Sequence, residues 1–209
     1  MIGIYGGTFD PVHFGHLRTA LEIKEIFHLD EVRLIPCSQP PHRETPLTPP
    51  EMRLAMLELA VQNQPDLVID RRELEREGYS YMIDTLKSLQ IENPDKSLLL
   101  IIGTDAFEGL ASWHQWQQLF DVAHIVVITR PGYVLQALSG FLSSKLTKNR
   151  EDLKLDKSGC LFFQSVTKLD ISATVIRSLI ELEKNPGYLL PDNIIKYISK
   201  NKLYSSRLG

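Results

Sequence analysis

Six short apolar runs, separated by stretches of helical period, constrain this chain more than any other feature. They lie at residues 2–5, 32–36, 67–70, 98–102, 125–129 and 161–164, and LLLII and HIVVI are almost unbroken. A strand exposed on one face alternates apolar and polar side chains. An unbroken run fits a strand covered on both faces, the usual state of a parallel sheet. The segments between, at 16–27, 51–62, 80–90, 116–120, 134–145, 173–183 and 193–200, read as helices. Alternating strands and helices imply right-handed crossovers, hence an α/β fold: a doubly wound parallel sheet with helices on both faces. One domain over residues 1–209 is expected, with a small C-terminal helical lobe over about 170–209.

Composition removes several function classes. The net charge of -3 offers no basic field, so no nucleic-acid partner is expected. Two cysteines, Cys37 and Cys160, are too few for a disulfide framework and read as reduced thiols. The N-terminus lacks a basic and apolar leader, and the apolar runs are too short to span a bilayer. A cytoplasmic protein with no membrane role is therefore expected. The proline-rich segment 36–50, PCSQPPHRETPLTPP, cannot be regular structure, because its prolines lack donors and restrict their neighbours. Segment 142–159 is polar and lysine-rich and reads as a solvated helix-and-loop insertion.

In doubly wound sheets, ligands bind beyond the carboxyl ends of the strands. Four stretches fall there: GGTFDPVHFGH (residues 6–16), PPHR (40–43), IIGTD (101–105) and TRPG (129–132). The first has the logic of a phosphate site. Gly6 and Gly7 allow close backbone approach, and a helix begins near His16, so free amides and the positive dipole end face one space. His13 and His16 are one turn apart, and Gly15 between them leaves room against the helix end. Two other readings stay open at this point. The histidines could hold a metal, with Asp10 and His42 completing the ligands, or they could be ordinary surface groups. Downstream, LDISATVIR (169–177) puts Ser172 at a helix N-cap, with Thr174 and Arg177 on one face.

GGTFDPVHFGH resembles the (T/H)-x-G-H signature of nucleotidyltransferases, and ISATVIR resembles their second phosphate motif, I-S-x-T-x-[IL]-R. PPHR, PPEMRLAM, SYMIDTL (80–86), IIGTD followed by W-x-x-W, TRPG and YLLPDNIIKYI are together similar to the bacterial nicotinate-nucleotide adenylyltransferases. The resemblance runs over nearly the whole chain. It implies a Rossmann-like fold and transfer of the adenylyl group of ATP to nicotinate mononucleotide, with Mg²⁺ bound mainly through the ATP phosphates and no metal site of the protein's own.

Carried onto matching positions, the resemblance implies an ATP site of Gly6, Gly7, Thr8, Phe9, Gly15, Gly103, Asp105, Ile171, Ser172, Thr174 and Arg177. His13, His16 and Arg177 would act on the reacting phosphates. His42, Arg43, Tyr81, Met82, Thr85, Trp113 and Arg130 would bind nicotinate mononucleotide. Trp113 would stack on the pyridine, and the amides at Tyr81 and Met82 would meet the carboxylate. The family commonly has Thr where this chain has Met82, so a hydroxyl is missing there and Thr85 or Ser80 would compensate. Three alternatives remain: another phosphorylated acceptor (nicotinamide mononucleotide or phosphopantetheine), a nucleotide-binding sensor without turnover, and a metal hydrolase. A class I aminoacyl-tRNA synthetase also carries H-x-G-H, but K-M-S-K-S is absent and the chain is short. Oligomeric state is open.

Overall fold

A computed structural model describes residues 1–39, 46–130, 132–167 and 169–205. Six parallel strands form one sheet in the order β3-β2-β1-β4-β5-β6. They are β1 (Ile2–Gly7), β2 (Glu31–Pro36), β3 (Leu67–Ile69), β4 (Leu98–Gly103), β5 (His124–Thr129) and β6 (Leu161–Ser165). Each expected strand is present, and the unbroken runs are the central ones. Along β4 the side chains divide between two cores: Leu99 and Ile101 face one, Leu98, Leu100 and Ile102 the other. That alternation with every position buried is what a strand sandwiched between helix layers requires. Full burial of each such side chain contributes about 1.5–3 kcal/mol.

One helix layer is α1 (Phe14–Phe27), α2 (Pro50–Val61), α9 (Ala173–Glu181) and α10 (Asp192–Lys200). Ile176, Ile194 and Ile198 of the last two helices are buried in the same core as Ala20 and Ile23 of α1. On the opposite face lie α4 (Met82–Glu92) and α6 (Leu119–Val122), with Ile83, Leu86 and Phe120 fully covered.

Several expectations need correcting. Residues 134–145 are helical only over α7 (Gly140–Lys145), and 116–120 is a short 3-10 turn running into α6. Three short helices were not expected: α3 (Arg72–Glu75), α5 (Thr104–Glu108) and α8 (Asp152–Leu155). Segment 142–159 is not simply solvated, because Leu153 is fully buried and Leu146 bridges to Leu161 of β6. No helix among the described residues is long and apolar enough to cross a membrane.

The topology positions the site. Strand order runs outward from β1 through β2 to β3, then from β4 through β5 to β6. Connections therefore diverge at the carboxyl ends of β1 and β4, opening the crevice where such sheets take ligands.

Candidate active site

The chain leaves β1 at Gly7, turns through Thr8, Phe9 and Asp10, and enters α1 with His13 as N-cap. The glycines here are required by the protein's own packing and not by an unusual backbone conformation. Neither Gly6 nor Gly7 has a positive φ; a Cβ on Gly6 would lie 2.7 Å from the Met82 methyl, and one on Gly7 would lie 3.1 Å from the Phe9 ring. Side chains of the protein itself occupy that space. The left-handed residue is Phe9 (φ 49), whose ring is buried and holds the turn in place. The amides of Thr8 and Phe9, and that of Gly15 in the first turn of α1, meet no protein acceptor among the described residues. Gly15 leaves room for the His13 ring: a Cβ there would meet His13 Nδ1 at 2.9 Å and the Ile171 carbonyl at 3.5 Å.

His13 and His16 stack with ring centroids 3.7 Å apart and planes inclined by 27°. Phe9 meets the His16 ring edge-on at 5.1 Å. Burial pushes His13 down to about 4. His16 is driven well below its ordinary value by burial and then by the neighbouring His13. Both imidazoles are therefore neutral near pH 7. The His13 amide donates to His16 Nδ1 at 3.3 Å, which leaves the His16 proton on Nε2. His13 Nδ1 is buried and meets no hydrogen-bond partner among the described residues. The pair thus presents ring nitrogens able to donate to an incoming phosphate.

The second phosphate motif arrives beside the first. Ser172 Oγ accepts from the Val175 amide at 3.2 Å, the N-cap expected for α9. Arg177 donates to Thr174 Oγ1 at 3.3 Å and, across the site, to the Asp10 carbonyl at 2.8 Å. Asp10 is a buried junction that sequence reasoning placed only in a metal alternative. Its carboxylate accepts from the Tyr204 hydroxyl on one oxygen and from the Leu47 and Thr48 amides on the other. Of the two residues expected to complete a metal site, Asp10 has both carboxylate oxygens in hydrogen bonds and His42 lies outside the described residues. No group of three or more His, Cys, Asp or Glu side chains among the described residues could hold a metal ion.

On the β4 side, Gly103 caps α5 with open space in front of it, and Asp105 is exposed in the first turn of that helix. Across the crevice, the Tyr81 amide, expected to meet the carboxylate, donates to the Tyr79 carbonyl at 3.1 Å; among the described residues the Met82 and Ile83 amides at the start of α4 meet no acceptor, and no side chain caps the helix. The Tyr81 ring lies 4.5 Å from that of His114, which sequence reasoning missed, with the planes tilted by 36°, and neighbouring Trp113 is half-buried against the core. Thr85 does not face this space. It is fully buried and donates to Glu73 Oε1 at 2.7 Å, so its hydroxyl cannot stand in for the one missing at Met82. Arg130 is exposed and pairs with Asp170 at 3.3 Å. Arg43, like His42, lies outside the described residues.

The comparisons with known proteins agree with this arrangement. Residues 4–179 match the cytidylyltransferase-like family. The chain is 45% identical over 209 residues to the "Probable nicotinate-nucleotide adenylyltransferase" of Methylococcus capsulatus, covering 98% of this chain and 100% of that one. A protein of the same name from Pseudomonas aeruginosa is 44% identical over 207 residues, covering 97% and 96%. Among solved structures, the Plasmodium falciparum nicotinic acid mononucleotide adenylyltransferase complexed with NaAD shares the fold. Its TM-score is 0.73 at 20% identity, with 97% of this chain and 96% of that one covered. A second structure of that enzyme, complexed with APC, superimposes with a TM-score of 0.71. The loop after β1, the histidine pair and the capped α9 thus sit in a chain that belongs to the cytidylyltransferase-like nucleotidyltransferases and, within them, to the nicotinate-nucleotide adenylyltransferase family.

Proposed function

We propose that the chain transfers the adenylyl group of ATP to nicotinate mononucleotide, giving nicotinate adenine dinucleotide and pyrophosphate, a step of NAD biosynthesis carried out in the cytoplasm. The observation that carries the reading is the convergence on one crevice of the stacked His13–His16 pair, the free amides after β1, and Arg177 on capped α9. Near-full-length likeness to relatives of that name supports the choice of acceptor.

The acceptor's phosphate is already anionic near pH 7, so no general base is needed. One of its oxygens attacks the α-phosphorus of ATP, a new P–O bond forms, and the bond to the β-phosphate bridging oxygen breaks. Pyrophosphate carries off the electron pair. The protein's task is to hold two anions in line and to meet charge as it develops. His13 and His16 donate ring N–H groups to the phosphates, the Thr8, Phe9 and Gly15 amides cradle them, and Arg177 swings from the Asp10 carbonyl to the polyphosphate. A divalent ion, Mg²⁺ in our reading, held mainly by the phosphates, supplies charge neutralisation on the leaving group.

The Met82 and Ile83 amides at the start of α4, without an acceptor among the described residues, donate to the two oxygens of a carboxylate, while the NH₂ of nicotinamide mononucleotide would leave one of them facing a donor. The acid is therefore the preferred acceptor. Pyrophosphate release with ATP and Mg²⁺ against the acid mononucleotide, the amide mononucleotide and phosphopantetheine tests both points. The expected result is release with the acid at the highest kcat/KM. Equal kcat/KM for acid and amide overturns the specificity, and no release with any acceptor overturns the reaction.

A further inference from the structure

Beneath the loop after β1 lies a buried cation with no anionic partner within ion-pair distance among the described residues. Arg53, in the first turn of α2, is 0% exposed, yet it makes none of the ion pairs found for Arg18, Arg33, Arg71, Arg72 and Arg130 among the described residues. Its guanidinium donates to three backbone carbonyls instead: Nη1 to Thr8 at 2.7 Å, Nη2 to Cys37 at 2.8 Å and Nε to Thr48 at 3.1 Å. Three carbonyls engage the guanidinium nitrogens, one each, but carry no full negative charge, and a buried charge held without an ion pair is costly. Such a cost persists where the charge has a further use.

The bond to Thr8 points to that use. The Thr8–Phe9 peptide is trans, so its carbonyl and its N–H point in opposite directions. With the carbonyl drawn down onto Arg53, the Phe9 N–H faces away, toward the crevice, where it meets no protein acceptor among the described residues. Phe9 reaches this orientation only in a left-handed conformation that non-glycine residues rarely adopt. Gripping Cys37 at the end of β2 and Thr48 at the start of α2 ties the same guanidinium to two neighbouring segments, so the peptide is held against a rigid support.

We propose that Arg53 is a positioning residue for the ATP phosphates: it holds the Thr8–Phe9 peptide with its N–H turned to the ligand and supplies a fixed positive charge from behind. The proposal deepens the adenylyl-transfer reading by assigning a residue that never touches the ligand. Because the effect is electrostatic as well as geometric, it must grow with ligand charge.

The test is calorimetric binding of ATP, ADP and AMP, with steady-state kinetics, for wild type, Arg53→Lys and Arg53→Met. Arg53→Met is expected to weaken ATP by about tenfold or more, on the scale of a lost oriented donor, with smaller losses for ADP and smaller again for AMP. KM for the acceptor should change less than about twofold, the scatter expected of an unaffected site. Arg53→Lys, which keeps the charge but loses the three-way grip, should recover part of the ATP loss and flatten the ATP-to-AMP gradient. If Arg53→Met does not fold, the split between the two KM values in Arg53→Lys decides: KM for ATP should rise while KM for the acceptor stays within about twofold. Equal losses for ATP, ADP, AMP and acceptor in either folded variant would show general loosening and overturn the proposal, as would unchanged ATP affinity. Wild-type protein that binds ATP but releases no pyrophosphate fails the adenylyl-transfer reading alone, and the nucleotide series still judges Arg53.

Discussion

Two imidazoles stacked at 3.7 Å repel each other once both are charged, and that governs the site at the scale of single residues. Neutral rings donate N–H groups without abstracting protons, which suits a reaction whose nucleophile is already anionic. His16→Ala is expected to keep its fold and to lose about 10²–10³ in kcat, the scale of one missing oxyanion donor. Circular dichroism and steady-state kinetics check it; wild-type turnover would remove His16 from the mechanism. The same burial makes stability depend on pH. His13 titrates near 4 when folded, against an ordinary value of 6.5, so the unfolded chain takes up its proton first as pH falls. The stabilisation is complete above about 6.5 and is lost progressively down to about 4. His16 and His124 act in the same direction, both lowered chiefly by burial. Urea midpoints across that window should fall less steeply for His13→Asn than for wild type; an unchanged slope would show that His13 is not the group responsible. The histidines could be read from the sequence because their spacing alone puts them on one face of a helix start. Arg53 and Asp10 could not, since their partners are backbone atoms of segments far away along the chain.

At the scale of elements, strands were easier to read than helices. Burial on both faces writes an unbroken apolar run into the sequence, and each of the six runs became a strand. Helices α3, α5 and α8 are four or five residues long, too short for a 3.6-residue period to show. Thr85 illustrates the same limit within the site. Its place in SYMIDTL put it near the acceptor, but the helix turns its hydroxyl inward to Glu73. The start of α1 has a feature that sequence also hid: the His13 ring lies on Gly15. Gly15→Ala would place a methyl 2.9 Å from His13 Nδ1, so the ring or the helix start must shift. Such overpacking typically costs about 1–3 kcal/mol. Thermal unfolding should record the loss, and kcat should fall with it because His13 is displaced. A variant with wild-type kcat would show that the ring position is unimportant.

Across the whole molecule, the two ends of the chain meet at the site. Tyr204, beyond α10, donates to Asp10 just after β1, and Arg177 from α9 reaches the carbonyl of the same residue. The C-terminal helices thus share the core of the first strands and also brace the turn proposed to receive ATP. Tyr204→Phe removes one donor from a buried carboxylate and should cost about 1.5–3 kcal/mol in urea unfolding. A change within experimental scatter would show that the carboxylate is satisfied without it. The parallel order of the sheet, with its divergence between β1 and β4, then does the remaining work of bringing ATP and acceptor together. The central step of the proposed reaction is direct attack of the acceptor's own phosphate on the α-phosphorus. Nicotinate mononucleotide isotopically labelled in its phosphate oxygens, incubated with unlabelled ATP and Mg²⁺ and followed by mass spectrometry, tests it. The predicted result is nicotinate adenine dinucleotide that keeps all the label, with one equivalent of unlabelled pyrophosphate; label in the pyrophosphate, or no dinucleotide, would contradict it.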